Sequence, residues 1–296
     1  MICKDILTPN FTQMSLITMQ LRLLYSSFVL CLGLRFVIFT VQIFIVIASE
    51  GAEFMSVVFK MVGTGSSDSD TMFNTGAAIV QESGAFLIDC GFTIKSALNT
   101  CGIGFDNICG IFISHVHGDH VFGLERVGYE YLFRLQRKVP LYLKREIYEE
   151  LWLQTLKGSM GRIGEGDATL EDFFDVRFIE HNQFSFAGVN YEVFEVSHTP
   201  GKPCYGICIN KKILYTADTL AILDIVKQYD YDFCFHDVSL HEGNPVHANL
   251  SSLLEYPDYV KQKMLLMSYG DDWQSFKGVV SEHFMGFAKQ GMSIEL

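Results

Sequence analysis

One short stretch, Ser114-His115-Val116-His117-Gly118-Asp119-His120, constrains this chain more than any other. His115, His117, Asp119 and His120 place four side chains of metal-ligand type within six positions. The lead-in, residues 108–114, is an apolar run of the length and composition of a buried strand. In extended backbone alternate side chains share a face, so His115 and His117 are expected to point the same way. Gly118 is expected to allow a sharp turn that swings Asp119 and His120 towards a neighbouring point. Imidazoles and a carboxylate so arranged suit zinc or a related divalent ion, and two ions fit better than one. A lone histidine is usually structural, whereas four such groups at one strand end call for a ligand.

The remainder of the chain from residue 55 reads as strands alternating with helices. Strands are expected at 57–62, 139–143, 173–180, 184–186 and 190–196, and a hairpin at 76–81 and 85–90 turning on Glu82-Ser83-Gly84. Helices are expected at 93–101, 121–137 and 144–156. Residues 158–166 carry four glycines and no apolar periodicity, and are expected to form a mobile loop. Gly63-Thr64-Gly65 is a turn able to aim backbone N–H groups at an anion. His198 and Asp218 each end an apolar run, where two histidine or carboxylate side chains could join the cluster. Two runs of alternating strands and helices imply an α/β fold with two sheets packed face to face and helices outside.

His-x-His-x-Asp-His after an apolar strand resembles the signature of the metallo-β-lactamase superfamily of binuclear metal hydrolases. The resemblance implies an αββα four-layer sandwich of two mixed sheets. His198 and Asp218 match the superfamily's third histidine and its bridging aspartate in order and spacing. The implied metal set is therefore His115, His117, Asp119, His120, His198 and Asp218, holding two zinc ions per chain, with manganese as the alternative. Asp89, which ends a strand, matches a structural neighbour of the metal loop. The layout of residues 233–237, 246–250 and 264–271 resembles the ribonuclease Z-like branch. Within it the chain is most similar to the small cyclic-nucleotide phosphodiesterases that phages and bacteria use against Pycsar immunity, over residues 55–296. That likeness implies Asp119 and His247 as catalytic residues, His247 standing near the scissile phosphate, and a homodimer.

One departure stands out. The branch ends a strand on His-Tyr-Gly-Asp with a last metal histidine; here the run is Ser268-Tyr269-Gly270-Asp271. A serine hydroxyl is a poor zinc ligand, so the second ion is expected to bind weakly unless another residue, such as His283, fills in. His236 sits inside an apolar strand and reads either as a support for the ligands or as a buried histidine.

The expected activity is hydrolysis of 3′,5′-cyclic nucleotides to linear monophosphates, with Phe73, Tyr129 and Tyr131 as candidates to stack the base. Two rivals are a ribonuclease Z-like tRNA endonuclease and a relative that binds cyclic nucleotides without cutting them. Twenty-two basic against 34 acidic residues give a net charge of −12, which speaks against long nucleic acid. The densest basic patch, residues 134–144, is small.

Residues 1–54 differ from the rest. Within 23–48 Arg35 is the one charge, and the run suits a membrane span better than a signal-peptide core. Lys4 and Arg22 before it, with Glu50 and Glu53 after it, would export the remainder by the positive-inside rule. Export sits badly with eight scattered cysteines and no Cys-x-x-Cys pair, which read as buried thiols in a reducing cytoplasm. The extension is expected to be upstream sequence joined by a misplaced start, the true start being Met55, with a membrane anchor and a cleaved signal as the alternatives. The hydrolase domain is expected over residues 55–296, in the cytoplasm, or the host's if phage-encoded.

Overall fold

The structure, a computed structural model, describes residues 56–296; the expected extension over residues 1–54 lies outside them. The described strands are β1 (Val58–Gly63), β2 (Gly76–Gln81), β3 (Gly84–Ile88), β4 (Ile108–Phe112), β5 (Val139–Leu143), β6 (Arg162–Ile163), β7 (Gly166–Asp167), β8 (Phe174–Phe178), β9 (Gln183–Phe186), β10 (Val189–Glu195), β11 (Tyr205–Ile209), β12 (Ile213–Tyr215), β13 (Phe233–Asp237), β14 (Met264–Met267), β15 (Gly286–Phe287) and β16 (Ser293–Glu295).

Continuous apolar runs become strands covered on both faces. β14, Met-Leu-Leu-Met, is buried at every position and pairs in parallel on both sides, with β13 and β15. Alternating runs become antiparallel strands near an edge: in β10, Val189, Tyr191 and Val193 are buried while Asn190 is exposed.

Two seven-stranded sheets result, in the orders β16-β1-β2-β3-β4-β5-β8 and β15-β14-β13-β12-β11-β10-β9. Both are mixed: β1, β2 and β3 pair antiparallel while β3, β4, β5 and β8 run parallel, and the second sheet divides in the same way. The sheets meet through large apolar side chains. Phe59 of β1 lies 4.7 Å, centroid to centroid, from Phe235 of β13, and Phe86 of β3 lies 5.0 Å from Tyr191 of β10. A second apolar cluster on the outer face of the second sheet joins Leu214, Cys234 and Leu266 to Leu250, Leu253 and Val280 from helical segments. This is the α/β sandwich of two mixed sheets.

Several expectations need correction. The helix expected at 121–137 is broken: Leu124–Tyr129 passes into π-helical turns over Glu130–Leu135. The helix expected at 144–156 likewise runs as Arg145–Glu149 and then π-helical Glu150–Leu156. A π-turn holds one extra residue, which a 3.6-residue period does not register. The supposed loop at 158–166 holds the end of a helix, Lys157–Met160, and the β6–β7 hairpin. The amides of the 63–65 turn are not free for an anion, because Thr64 and Gly65 donate to Phe73 O at 3.1 and 2.9 Å.

Among the described residues no helix is long and apolar enough to cross a membrane. Their six cysteines are all free, and Cys90, Cys204, Cys208 and Cys234 are buried, as expected.

Candidate active site

The site forms where strands end on one edge of the sandwich. Asp89 follows β3, the 115–120 loop follows β4, His198 follows β10, Asp218 follows β12, Asp237 closes β13 and Ser268 follows β14. Three of these ends take a left-handed backbone without glycine, at Asp89 (φ 66°), Ala217 (φ 53°) and Ser268 (φ 61°). Such conformations are costly, and they persist where surrounding structure holds them.

The 115–120 loop differs from expectation in one detail. The turn is the first turn of a helix over Gly118–Val121, with His117 in extended backbone before it. Gly118 lets the Phe122 ring lie against it: a Cβ there would fall 2.5 Å from that exposed ring, which would have to shift. The result for the ligands is as expected. His115 Nε2, His117 Nδ1 and His198 Nε2 converge, with 3.1 Å between His115 and His117 and 3.1 Å between His117 and His198. Asp218 Oδ2 completes this group at 3.9 Å from His115 Nε2 and 4.0 Å from His198 Nε2. A second group shares that oxygen: His120 Nε2 stands 3.2 Å from Asp218 Oδ2 and 3.3 Å from Asp119 Oδ2. The six residues singled out in the sequence therefore gather in one protomer, as two groups joined at Asp218.

The hydrogen bonds behind the ligands fix where each imidazole keeps its lone pair. His120 Nδ1 donates to Asp89 Oδ2 at 2.8 Å. The Ser114 hydroxyl donates to the same oxygen at 2.8 Å and can then accept from His115 Nδ1 at 3.0 Å. His198 Nδ1 donates to the Val246 carbonyl at 2.8 Å. For His115 and His198 this leaves Nε2 unprotonated and facing the centre, which is what a metal ligand requires, and the bond to Asp89 turns His120 Nε2 to the same centre. Burial, reinforced by His120, holds His115 well below the usual imidazole range. Burial also lowers His117, helped by His198, and lowers His198 despite Asp218. His120 differs. Burial opposes its charge, yet Asp218 and Asp89 outweigh it and hold the ring well above the usual value. Positive charge is thus wanted where His120 Nε2 faces two carboxylates, and a divalent cation supplies it. Lone pairs 3.1–4.0 Å apart suit the edges of a tetrahedron whose bonds are about 2.0–2.1 Å, as for zinc and imidazole.

His247 faces the same centre. Its ring lies 4.8 Å from that of His198, and its Nδ1 donates to Asp237 Oδ2 at 2.7 Å. Burial disfavours its charge, but the Asp237 carboxylate outweighs that and raises it to about 9. Sequence reasoning gave Asp237 no role; the signal was there in an acidic residue ending an apolar strand, as Asp89 and Asp218 do. Ser114 was quoted only as part of the motif. Ser268 lies where the last histidine was expected, with its hydroxyl 3.1 Å from Asp218 Oδ1.

Other candidates fall away. Tyr131 is 1% exposed and donates to the Ile108 carbonyl, so it cannot stack a base. Tyr129 stacks on Phe133 and donates to Ser159 O, and Phe73 packs against the core. His283 belongs to none of the groups of potential metal ligands among the described residues. His236 is fully buried in β13, with Nδ1 against the Asp237 carbonyl at 2.7 Å, and burial lowers it to about 4. It touches no ligand side chain that the hydrogen bonds define, and reads as a core histidine.

Comparison with known proteins agrees with this architecture. In solved structures, the metallo-beta-lactamase fold protein YhfI from Bacillus subtilis superposes with a TM-score of 0.65 at 14% identity, covering 81% of this chain and 100% of its own. An Anti-Pycsar protein Apyc1 from Paenibacillus sp. (strain J14) is 34% identical over 242 residues, 80% of this chain and 98% of its own length. One from Paenibacillus harenae is 36% identical over 224 residues, 74% of this chain and 92% of its own. The family model described as Anti-Pycsar protein Apyc1 matches residues 57–294, and the chain belongs to that family.

Proposed function

We propose that this chain is a metal-dependent phosphodiesterase that opens the ring of a 3′,5′-cyclic nucleotide to give a linear monophosphate. One observation carries the reading: ligand atoms of His115, His117, His198 and Asp218 all lie within 4.8 Å of one another, beside a second group made of Asp119, His120 and the same Asp218. Divalent ions, if held there by these residues, would supply a water of lowered pKa and positive charge next to the phosphoryl oxygens.

The chain's own groups do the rest. Asp119, with Oδ2 turned to the His120 group, orients the attacking water and accepts its proton at Oδ1. His247 is held by Asp237 through Nδ1, leaving Nε2 to give a proton to the departing ribose oxygen. The Nδ1 bond keeps the ring in one tautomer and supports its positive charge, the part that an aspartate plays behind a catalytic histidine elsewhere.

A tRNA substrate fits less well. The residues of the densest basic patch are individually engaged: Arg134 pairs with Glu130, Arg137 donates to Asp106 O, Lys138 to Glu171 O and Lys144 to Ile179 O. Binding without cleavage is the second reading, favoured by Ser268 in the last ligand position. The test is to incubate the full chain with a panel of 3′,5′-cyclic nucleotides, zinc and manganese, and to follow linear monophosphate by chromatography, with Asp119→Ala as control. Turnover that the control lacks supports the enzyme. Tight binding without turnover supports sequestration.

A further inference from the structure

We propose that the two cation positions of this chain are unequal: a three-histidine position that retains zinc, and a carboxylate-rich position, short of one donor, that takes a harder and readily exchanged ion such as manganese. This deepens the reading above and rests on it for the presence of cations.

The donor sets differ in number and kind. The first offers four atoms, three imidazole nitrogens and Asp218 Oδ2. The second offers three, one imidazole nitrogen with one oxygen each from Asp119 and Asp218. Imidazoles favour zinc and its neighbours; carboxylate with water favours manganese and magnesium. Affinity falls with each missing donor, and water that completes a coordination shell leaves easily.

Ser268 sharpens the difference. Its single hydroxyl proton has two acceptors at 3.1 Å, Asp218 Oδ1 and Thr75 Oγ1. The carboxylate is the stronger acceptor. Thr75 spends its own proton on the Gly65 carbonyl at 3.0 Å. Asp218 Oδ1 therefore accepts a hydroxyl hydrogen bond and is the weaker donor of the two, while Oδ2 is the atom that faces both groups. A bridge through one oxygen cannot serve two cations as well as a bridge through two. The position with three other strong donors wins that oxygen. The left-handed backbone at Ser268 aims the side chain into the site, and histidine is among the residues that tolerate this conformation.

The experiment counts metal and does not measure turnover. The full chain is stripped with a chelator, checked for fold by circular dichroism, equilibrated with equal zinc and manganese, and desalted. Metals are counted by plasma mass spectrometry, and manganese binding is titrated by electron paramagnetic resonance. The wild type is expected to keep about one zinc per chain through desalting and to lose its manganese. Ser268→His is expected to keep a second zinc. Asp119→Asn, an isosteric change at a partly exposed side chain, is expected to keep the first zinc and to weaken manganese by about tenfold or more. Two zinc ions retained by the wild type, or manganese binding indifferent to Asp119→Asn, overturns the inference while leaving the functional reading in place. A folded wild type that binds neither metal overturns both. If Ser268→His does not fold, the Asp119→Asn comparison decides alone.

Discussion

Asp89 Oδ2 lies 2.8 Å from His120 Nδ1 and takes the Ser114 hydroxyl at the same distance, so one buried carboxylate orients two of the site's imidazoles. Asp89→Asn tests that arrangement cleanly. Asparagine tolerates the left-handed backbone of this position, so the turn should survive. If the amide oxygen keeps the Ser114 N–H, the amide nitrogen faces His120 Nδ1, donor against donor. His120 must then move its proton to Nε2, where it blocks the lone pair aimed at Asp119 and Asp218. Metal affinity at the His120 group is expected to fall by about 10–100-fold, the usual effect of losing such a support. Metal titration of the folded variant checks this, and unchanged affinity would show that Asp89 acts only in packing.

Asp237→Asn should act on one proton. With the carboxylate gone, His247 loses the negative charge that is the main cause of its raised value of about 9, and keeps a neutral amide oxygen as its partner. The rate with a cyclic nucleotide is expected to fall by about 100-fold or more, within the usual range for a general acid, with KM little changed. An activated ester such as bis(p-nitrophenyl) phosphate, whose leaving group needs no proton, should lose far less. An equal loss on both substrates would remove His247 from leaving-group protonation.

Gly91 gives a prediction of another kind. A Cβ on this residue would meet Asp119 O at 1.8 Å and Asp119 C at 2.6 Å, both backbone atoms that cannot swing aside. The surrounding backbone is tied down as well, since Cys90 N donates to His120 O at 2.7 Å and Gly123 N to Cys90 O at 2.8 Å. Gly91→Ala must therefore push the Asp119–His120 turn outward. A displacement near 1 Å costs about 100-fold in catalysis. Metal at the His115–His117–His198 position should be retained. Parallel activity and metal counts separate this outcome from general unfolding.

How much of this was legible in the sequence follows from how local each signal is. The 115–120 loop is legible because its four ligands sit within one helical turn of a strand end, where spacing alone decides which way they point. His198 and Asp218 lie some 80 to 100 positions further along the chain from it, and their place rests on likeness to a family and not on any local rule. Asp237 and Ser114 were passed over because a residue that holds a ligand needs no motif of its own; only coordinates pair Asp237 with His247. Tyr131 misled because aromatic character says nothing about exposure, and this ring is locked under β4 by the carbonyls of Phe105 and Ile108. At residues 158–166 four glycines suggested irregular backbone, yet Gly164 and Glu165 turn the β6–β7 hairpin and Gly166, with a positive φ of 128°, pairs with Ile163 as β7 begins.

Asp271, which bonds to none of the ligand side chains, supplies the pH test. Its carboxylate accepts from Ser69 Oγ at 2.6 Å, Thr71 Oγ1 at 2.5 Å and Asp70 N at 2.8 Å, tying the polar loop after β1 to the chain after β14. Those bonds, Ser69's first, favour the ionised form and lower the group to about 2. A folded value below the unfolded one, about 3.9 for aspartate, means that the stabilisation is fully present above the unfolded value. It is lost as pH falls through about 2, because protonation then costs the folded state its acceptors. Asp271→Asn lacks this term at every pH. The gap between wild-type and variant urea midpoints, measured on chelator-stripped protein so that metal release does not intrude, should hold steady above pH about 5. It should narrow between about 4 and about 2 and close below that. A gap that persists unchanged to pH 2 would mean that the loop is held by hydroxyl and amide geometry alone, and that the charge on Asp271 contributes nothing.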